Sequence, residues 1–497
     1  MGDNGDSAPA GVVELREDVP LKAGAGGGAW CAGGPRLIAL SFAVLSAAIT
    51  LALLAQIYSG DYELVPHGVV SSSAAECSRA GTDALKAGGR ALDAAAAAAL
   101  CLAVVAPHRT SLDAGGSMLY WEYRKSRSQL PSLAEWGGAG GPGDGDGGRP
   151  PRLLVALAAL HAQAGALPWR DVVKPALLLA RKGFVVSAGL AAAERAAGVP
   201  SAAAGARYNA PALADYLQAI QNKTSKELSE EWRAWNGNIS FVAGGARWSE
   251  AGGRRVWAGG ARAALAVAAI TAALQAADQD DAVHRAVDVL RSARPAAAGG
   301  AAGGAASGLA VVDSSDTYLA LVTAVDVLRS ARPAAAGGAA GGAASGLAVV
   351  DSSDTYLALV TGTSVPFGSG PLVAGGWRQD QPARPLDLAP ALIADARLCG
   401  TRYVVGAESS AALVQVAAAL VAGGGGPRGV ELSVERARLA LAADGGVLPE
   451  PGAPPPAPPA APLNATPPFA AVNVVQQRGD ALLSWADSRG GGLASRF

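Results

Sequence analysis

The hydroxyl groups best placed for nucleophilic chemistry fall in a segment that the chain writes twice. Residues 286–323, AVDVLRSARPAAAGGAAGGAASGLAVVDSSDTYLALVT, recur without a substitution as residues 324–361. The second copy sets Ser345 ahead of an apolar run and Thr355 in the turn-like DSSDTY, and Thr363 follows in TGTSVPFG. A hydroxyl becomes a nucleophile when an adjacent base takes its proton. Ser345 also fits an ordinary strand-start serine, and Thr317 and Thr355 fit hairpin-turn residues. Two copies are too few for a solenoid, whose stacked units need about three repeats to bury a continuous face. Their identity points to a recent exon duplication or a gene-model error, and only one copy can occupy a given place in a packed sheet.

Other chemistries find less support. The four histidines, His67, His108, His161 and His284, show no metal-ligand spacing and read as surface or satisfied helix-end residues, so neither a metal nor a cofactor is expected. A net charge of -1, from 40 basic and 41 acidic residues, gives no field that would gather nucleic acid. With 497 residues, half of them hydrophobic, the chain can bury one large core or two ordinary ones.

One segment speaks to location. Leu37 to Ile57 runs for 21 residues without a charge and would span about 31 Å as a helix, enough to cross a bilayer. Arg16, Lys22 and Arg36 precede it and no Lys or Arg follows until Arg79, so residues 1–36 are expected to be a cytoplasmic tail and the bulk of the chain to lie outside the plasma membrane. Asn222-Lys-Thr, Asn238-Ile-Ser and Asn464-Ala-Thr are glycosylation sequons on the outer side of that topology. Cys31 would be cytoplasmic, and Cys77, Cys101 and Cys399 would sit where a disulfide persists, which leaves one of the three unpaired or bonded to another chain.

The elements that must position any site interleave. SRAGTDALKAGG predicts a short helix stopped at Gly88-Gly89, and RALDAAAAAALCLAVVAP a nearly all-apolar helix stopped at Pro107. SMLYWEY reads as a strand, residues 137–148 as a loop, and residues 153–184 as two helices parted at Gly165 to Pro168. ALADYLQAIQNKTSKELSEEW reads as a third helical region, TRYVVGAES as a strand into a turn, and SAALVQVAAALVAG as a helix. The Pro-rich stretch 450–463 is a linker, and FAAVNVVQQ with ALLSWADSR forms an antiparallel pair. This pattern predicts helices layered on antiparallel sheets.

Several of these stretches together resemble one family. CSRAGTDALKAGGRALDAAAAAALCLAVVAPH, GALPWRDVVKPALLLARKGFVVSAGLAAA and AVNVVQQRGDALLSWADSRGGG are similar to the gamma-glutamyltransferases, or glutathione hydrolases, and LADYLQAI, YVVGAESSAAL and the signature region Val349–Gly368 follow in the same order. The likeness covers most of residues 66–497. It implies an N-terminal-nucleophile hydrolase fold, a four-layer αββα sandwich of the α/β (α+β) class, behind a single membrane anchor of a type II glycoprotein. It also implies a cystine between Cys77 and Cys101, and self-cleavage into a large region, 58–343, and a small one, 344–497. The ligands it implies are glutathione or other gamma-glutamyl compounds. The Gly115-Gly116 pair fits either the family's glycine-rich strand entry or a tight turn.

Position by position, the chemistry implied by the resemblance thins out. The family's Thr-small-His-x-Ser motif falls on Ala344, Ser345, Gly346 and Ala348, so the nucleophile position holds alanine. Ser345 is one residue late, which in a strand points it to the opposite face unless a bulge intervenes. The serine pair that holds the substrate carboxylate falls on Asp387 and Leu388 after Pro385-Leu386, and a carboxylate there repels an anion. The glycine pair of the oxyanion hole falls on Ser409-Ser410, whose backbone donors survive though their bulk fills space. Of GGWRQD, residues 375–380, only Asp380 is acidic, and its register is off for the substrate amine. Arg124, Arg127 and Arg109 lie near the place of the family's carboxylate-binding arginine, none in its motif, and Gly490 stands where lysine is usual. Thr363 matches a threonine that supports the nucleophile. The leading expectation is a homologue with impaired or absent catalysis. The alternatives are an active glutathione hydrolase using Ser345 and a non-catalytic cell-surface binding or partner protein, paired with another chain through Cys399.

Overall fold

The computed structural model of the chain describes residues 34–59, 67–125, 129–137, 149–198, 202–236, 239–293, 343–382, 385–397, 400–423, 427–441, 447–453 and 470–497. Two compact units divide it, Met1–Leu64 and Val65–Phe497. The first contains α1 (Gly34–Ser59), whose Arg36–Ala55 stretch is long and apolar enough to cross a membrane. The expected span 37–57 lies within this helix.

The second unit starts with β1 (Val69–Ser72), α2 (Ala75–Lys86) and α3 (Ala91–Val105). Every residue of α3 is buried. Its run of alanines adds little bulk, so backbones can approach it closely on all sides. Gly115 and Gly116 do not form a tight turn but open β2 (Gly115–Glu122), where a Cβ on Gly116 would stand 2.0 Å from the Trp136 ring of β3 (Ser132–Trp136). Next come α4 (Arg152–Ala164), α5 (Trp169–Lys182), β4 (Phe184–Val185), α6 (Ala188–Ala196) and β5 (Arg207–Tyr208). The expected third helical region is two main helices, α7 (Pro211–Gln221) and α8 (Ser225–Glu231), followed by a single turn, α9 (Arg233–Asn236). Thr224 caps α8 in a reciprocal box with Glu227, and that box marks the break between α7 and α8.

Then β6 (Ile239–Val242), which pairs with β3, and the hairpin of β7 (Arg247–Ala251) and β8 (Arg254–Ala258) lead to α10 (Ala263–Ala273) and α11 (Gln279–Ser292). The chain continues in β9 (Ala343–Val350), β10 (Thr355–Thr363), β11 (Ala391–Asp395) and β12 (Arg402–Ala407), then α12 (Ser410–Ala422) and α13 (Pro427–Glu435). A ribbon of β13 (Leu439–Leu441) and β14 (Val447–Pro449) precedes β15 (Val472–Arg478), β16 (Ala481–Ala486) and β17 (Leu493–Arg496). Thus α11 takes the head of the first repeat copy, and β9 and β10 take the tail of the second. Thr317 and the rest of the first copy lie outside the described residues. The expected boundary between 343 and 344 falls inside β9.

Two antiparallel sheets carry the unit. Sheet one has the order β17-β1-β9-β10-β2-β3-β6, and sheet two β16-β15-β12-β11-β8-β7. Strand side chains alternate between faces, and the cores follow that period. Leu347, Val349, Leu357 and Leu359 of sheet one pack with α3, α4 and α5. Ala348, Val350, Tyr356 and Ala358 meet Trp257, Leu392, Val404 and Val475 of sheet two. Val256, Ile393, Tyr403 and Val474 on the far face of sheet two pack with α10, α11 and α12. The result is the four-layer αββα sandwich that the resemblance implies.

The helical layer behind sheet one is pinned twice. Cys77 of α2 and Cys101 of α3 are joined in a disulfide, closing a loop of sequence separation 24. Asp93, fully buried in the first turn of α3, accepts from the Arg90 amide at 2.8 Å and the Ala166 amide at 3.1 Å, and pairs with His161 Nε2 at 3.0 Å. His161 Nδ1 in turn lies 2.9 Å from Ser225 Oγ. Burial pushes the Asp93 carboxyl up, but its hydrogen bonds from His161, Arg90 and Ala166 outweigh that and hold it below the usual carboxylate range.

Candidate functional site

The first residues of β9 set the site. Ala344 packs with Val360 and Leu388 and against Leu386, on the face of β9 that looks toward sheet two. Gly346, on that same face, lies so near β12 that an added Cβ would stand 2.3 Å from the carbonyl of Gly406. No side chain fits there while the two strands keep this approach. Ser345 shares the opposite face with Leu347, toward the helical layer, and no bulge interrupts its pairing with Thr361. It is 1% exposed and its Oγ has no hydrogen-bond partner among the described residues. Ser345 and Ala344 therefore open onto different layers of the sandwich.

The hydroxyls around this strand are largely committed. Thr361 Oγ1 is 2.8 Å from Thr110 Oγ1, and Thr363 Oγ1 donates to the Val365 carbonyl at 2.8 Å. Thr355 begins β10, beside the turn at which Asp354 adopts a φ of 54°. Ser409 caps α12, its Oγ accepting from the Ala412 amide at 3.2 Å. Ser410 donates its Oγ proton to Asp387 Oδ2 at 2.9 Å and its amide proton to the same oxygen at 3.3 Å. The structure thus brings Ala344, Leu386, Leu388, Asp387 and Ser410 together at one end of the sandwich.

Asp380 has another task. Fully buried, it accepts from the amides of Ser364 at 2.8 Å and Ser369 at 3.2 Å, and from both their hydroxyls. Its own amide donates to Asp113 Oδ2 at 2.7 Å. Asp113 is also fully buried and pairs with Arg149 and Arg152. This network fastens residues 364–380 to the start of α4, and it uses every polar atom of the Asp380 carboxylate.

A second group at the same end holds Arg109, named above, with partners that sequence reasoning missed. Arg109 forms an ion pair with Glu408, whose other oxygen accepts from the Ala471 amide at 2.9 Å. Ser73 Oγ donates to Glu408 at 3.3 Å, and the Asn473 amide group donates to Ser73 Oγ at 3.2 Å and to the Gly346 carbonyl at 2.8 Å. Burial pushes the Glu408 carboxyl up, with Arg109 and the Ala471 amide pulling against it. Burial, and then Arg109 alongside, push His108 down to about 3, so its imidazole is neutral; Nε2 accepts from Arg109 Nε at 3.3 Å, and Nδ1 has no partner among the described residues. A Cβ on Gly490 would stand 3.1 Å from the Ala471 Cβ and 3.3 Å from the Ser73 Cβ, so this glycine packs closely beside the group. The partners lie 299 residues apart in sequence, and the one local signal was an acidic residue in the turn after β12.

Of the other arginines, Arg124 pairs with Asp354 at 2.7 Å on the exposed surface, at the turn between β9 and β10, and Arg127 lies outside the described residues. Among the described residues no group of three His, Cys, Asp or Glu is placed to hold a metal ion. Asn222 is exposed just after α7, whereas Asn238, Asn464 and Cys399 lie outside the described residues.

Comparisons with known proteins agree with this architecture. The family model for gamma-glutamyltranspeptidase matches residues 77–135, the stretch that contains the disulfide, α3 and β2. Glutathione hydrolase 7 of Bos taurus is 34% identical over 202 residues, covering 38% of this chain and 30% of that protein. Glutathione hydrolase 6 of Bos taurus is 43% identical over 130 residues, covering 26% of this chain and 25% of that protein. The matches thus span less than a third of the length of either relative. In fold, the chain is similar to a cephalosporin acylase from Bacillus halodurans, with a TM-score of 0.60 at 16% identity, over 86% of this chain and 96% of that one. The sandwich shares its fold with that acylase, and the α2–β3 stretch is where the chain is similar to the gamma-glutamyltranspeptidase family.

Proposed function

We propose that this chain is a membrane-anchored, surface-exposed homologue of the glutathione hydrolases that does not turn over gamma-glutamyl compounds. Ala344 carries the reading. The family reaction needs a hydroxyl at that place to attack the gamma-glutamyl carbonyl and an amine exposed by self-cleavage to take the proton. A methyl group can do neither. Gly346 cannot be exchanged for a histidine against β12, and Ser345 is turned toward the helices. Single electrostatic contacts contribute on the order of 3 kcal/mol to a transition state, but no arrangement of neighbours replaces an absent nucleophile.

The same reading makes the chain a single uncut polypeptide. With α1 as signal anchor and residues 1–36 inside, Asn222 is an accessible glycan acceptor. The full-length protein in detergent, incubated with a gamma-glutamyl anilide, should release no chromophore and should run as one band on a denaturing gel. Turnover that disappears in Ser345→Ala, or a gel showing two subunits, would sink the reading.

A further inference from the structure

Sheet one ends at β17 and β6, and sheet two at β16 and β7, so each of these strands has one side without a strand neighbour among the described residues. An open edge offers backbone donors and acceptors to any other strand, and proteins guard it with charges, proline or a covering element. Three of the four edges are guarded. β17 carries Arg496, β7 carries Arg247 and Glu250, and Trp485 of β16 is tied to Glu435 of α13 by a hydrogen bond of 2.8 Å. β6, Ile239-Ser240-Phe241-Val242, has neither a charge nor a proline. Phe241 is 46% and Val242 48% exposed, and in the turn that follows a Cβ on Gly244 would stand 3.6 Å from Leu130, itself 36% exposed. The unguarded edge is also the apolar one.

We infer that β6 is a docking edge for β6 of a second copy of this chain, paired antiparallel about Phe241. On its inner side β6 already pairs with β3, Phe241 opposite Ala134, so the added strand extends sheet one from one copy into the next. The strand is self-complementary. Pairing about Phe241 sets that ring opposite its own twin and Ser240 opposite Val242, and no charge is buried or opposed. A strand of other origin would need the same uncharged pattern, and the chain itself supplies one. The contact is isologous and closes as a two-fold dimer, which leaves β6 no edge for further growth. Four residues cover much less than the ~800 Å² per partner of a standard interface, so the dimer forms and dissociates readily. The inference goes beyond the proposed function and does not depend on turnover.

A disulfide can trap such a pairing. Full-length protein in detergent, with Cys31 and Cys399 changed to serine, receives one new cysteine at a time. Residues directly opposite in an antiparallel pair have Cα atoms about 4.5–5.5 Å apart, within reach of a disulfide, so Phe241→Cys should cross-link on mild oxidation about tenfold more than Leu432→Cys. Leu432, 64% exposed on α13, reports random collision. Adding Val242→Lys puts a charge on the edge and should remove the cross-link. Equal cross-linking at 241 and 432 overturns the inference, and so does a dimer indifferent to Val242→Lys. The sequon Asn238-Ile239-Ser240 overlaps β6, so a cross-link that appears only after enzymatic removal of N-glycans means that sugar covers the edge, and also overturns it. Should Phe241→Cys not accumulate, sedimentation of the serine-substituted parent decides. It should shift toward dimer with rising concentration while Val242→Lys stays monomeric; a parent that remains monomeric, or a Val242→Lys chain that associates equally, defeats the pairing.

Discussion

The helical layer behind sheet one and the mouth at the start of β9 lie in one compact unit, yet they are built differently. In the layer, α2 and α3 are joined by a disulfide, and Asp93 satisfies two backbone amides and a histidine. This is also where the family model matches. At the mouth, Ala344 and Gly346 offer no polar side chain, and the polar groups bond to one another: Asp387 to Ser410, Glu408 to Arg109, Asp380 to Ser364. Buried polar groups are costly unless paired, and these groups are paired internally. The contrast shows that fold and chemistry are separable: packing keeps the layer, and nothing in packing requires a nucleophile at Ala344.

The largest effect should come from forcing the mouth back toward chemistry. Gly346→His places a side chain where even a Cβ would be 2.3 Å from β12. Overpacking in a core typically costs about 1–3 kcal/mol, and this clash is with backbone, which cannot rotate away. The variant should lose more than about 3 kcal/mol in urea denaturation or fail to accumulate. Near-parental stability would mean that the two sheets can separate at this end, and the contrast would collapse.

Breaking the layer should cost slightly less. Cys77→Ser opens the loop closed by the disulfide, for which chain entropy predicts about 3 kcal/mol. The loss should appear as a lower denaturation midpoint that reducing agent reproduces in the parent. Asp93 gives a smaller, pH-dependent test. Because its hydrogen bonds hold the folded carboxyl below the free value of 3.8, the stabilisation is complete above that pH and is lost as pH falls through the folded value. Asp93→Asn should lose about 2 kcal/mol at neutral pH, within the range for a buried charge-assisted pair. It should also show a flatter decline in stability below pH ~4 than the parent.

Legibility in the sequence followed the same divide. The layer was readable because Gly88-Gly89 and Pro107 end α2 and α3 and because an apolar run must be buried. The antiparallel pair β15–β16 was readable from alternation. The break between α7 and α8 was written in Thr224-x-x-Glu227 and was passed over because helical charge continued across it. The short strands β3 and β6–β8 average about five residues of mixed polarity, too few to show a period of two above the background. At the mouth, the residues on β9 could be placed by register, since a one-residue slip fixes the face. Their partners could not: Asp387 meets Ser410, and Arg109 meets Glu408, only after the sheets have stacked.

The smallest expected effect concerns the repeat that leads into the mouth. The described fold uses Ala286–Ser292 of the first copy, at the end of α11, and Ala343–Thr361 of the second, in β9 and β10. The junctions determine this choice. Only the first copy follows Gln279–Arg285 into α11, and only the second runs into Gly362, where a Cβ would stand 2.4 Å from the Ala343 carbonyl. Alanine occupies the equivalent place after the first copy, at 324. Deleting residues 305–342 therefore leaves every described residue in place and shortens the connection between α11 and β9 from residues 293–342 to residues 293–304. Twelve residues reach at most about 40 Å when extended. Closing a shorter connection costs less chain entropy, about 0.6 kcal/mol per halving of its length, so the deletion should stabilise the protein by about 1 kcal/mol. A denaturation midpoint that falls instead would mean that the extra copy packs against the mouth, and that the chemistry end, unlike the helical layer, depends on the duplication.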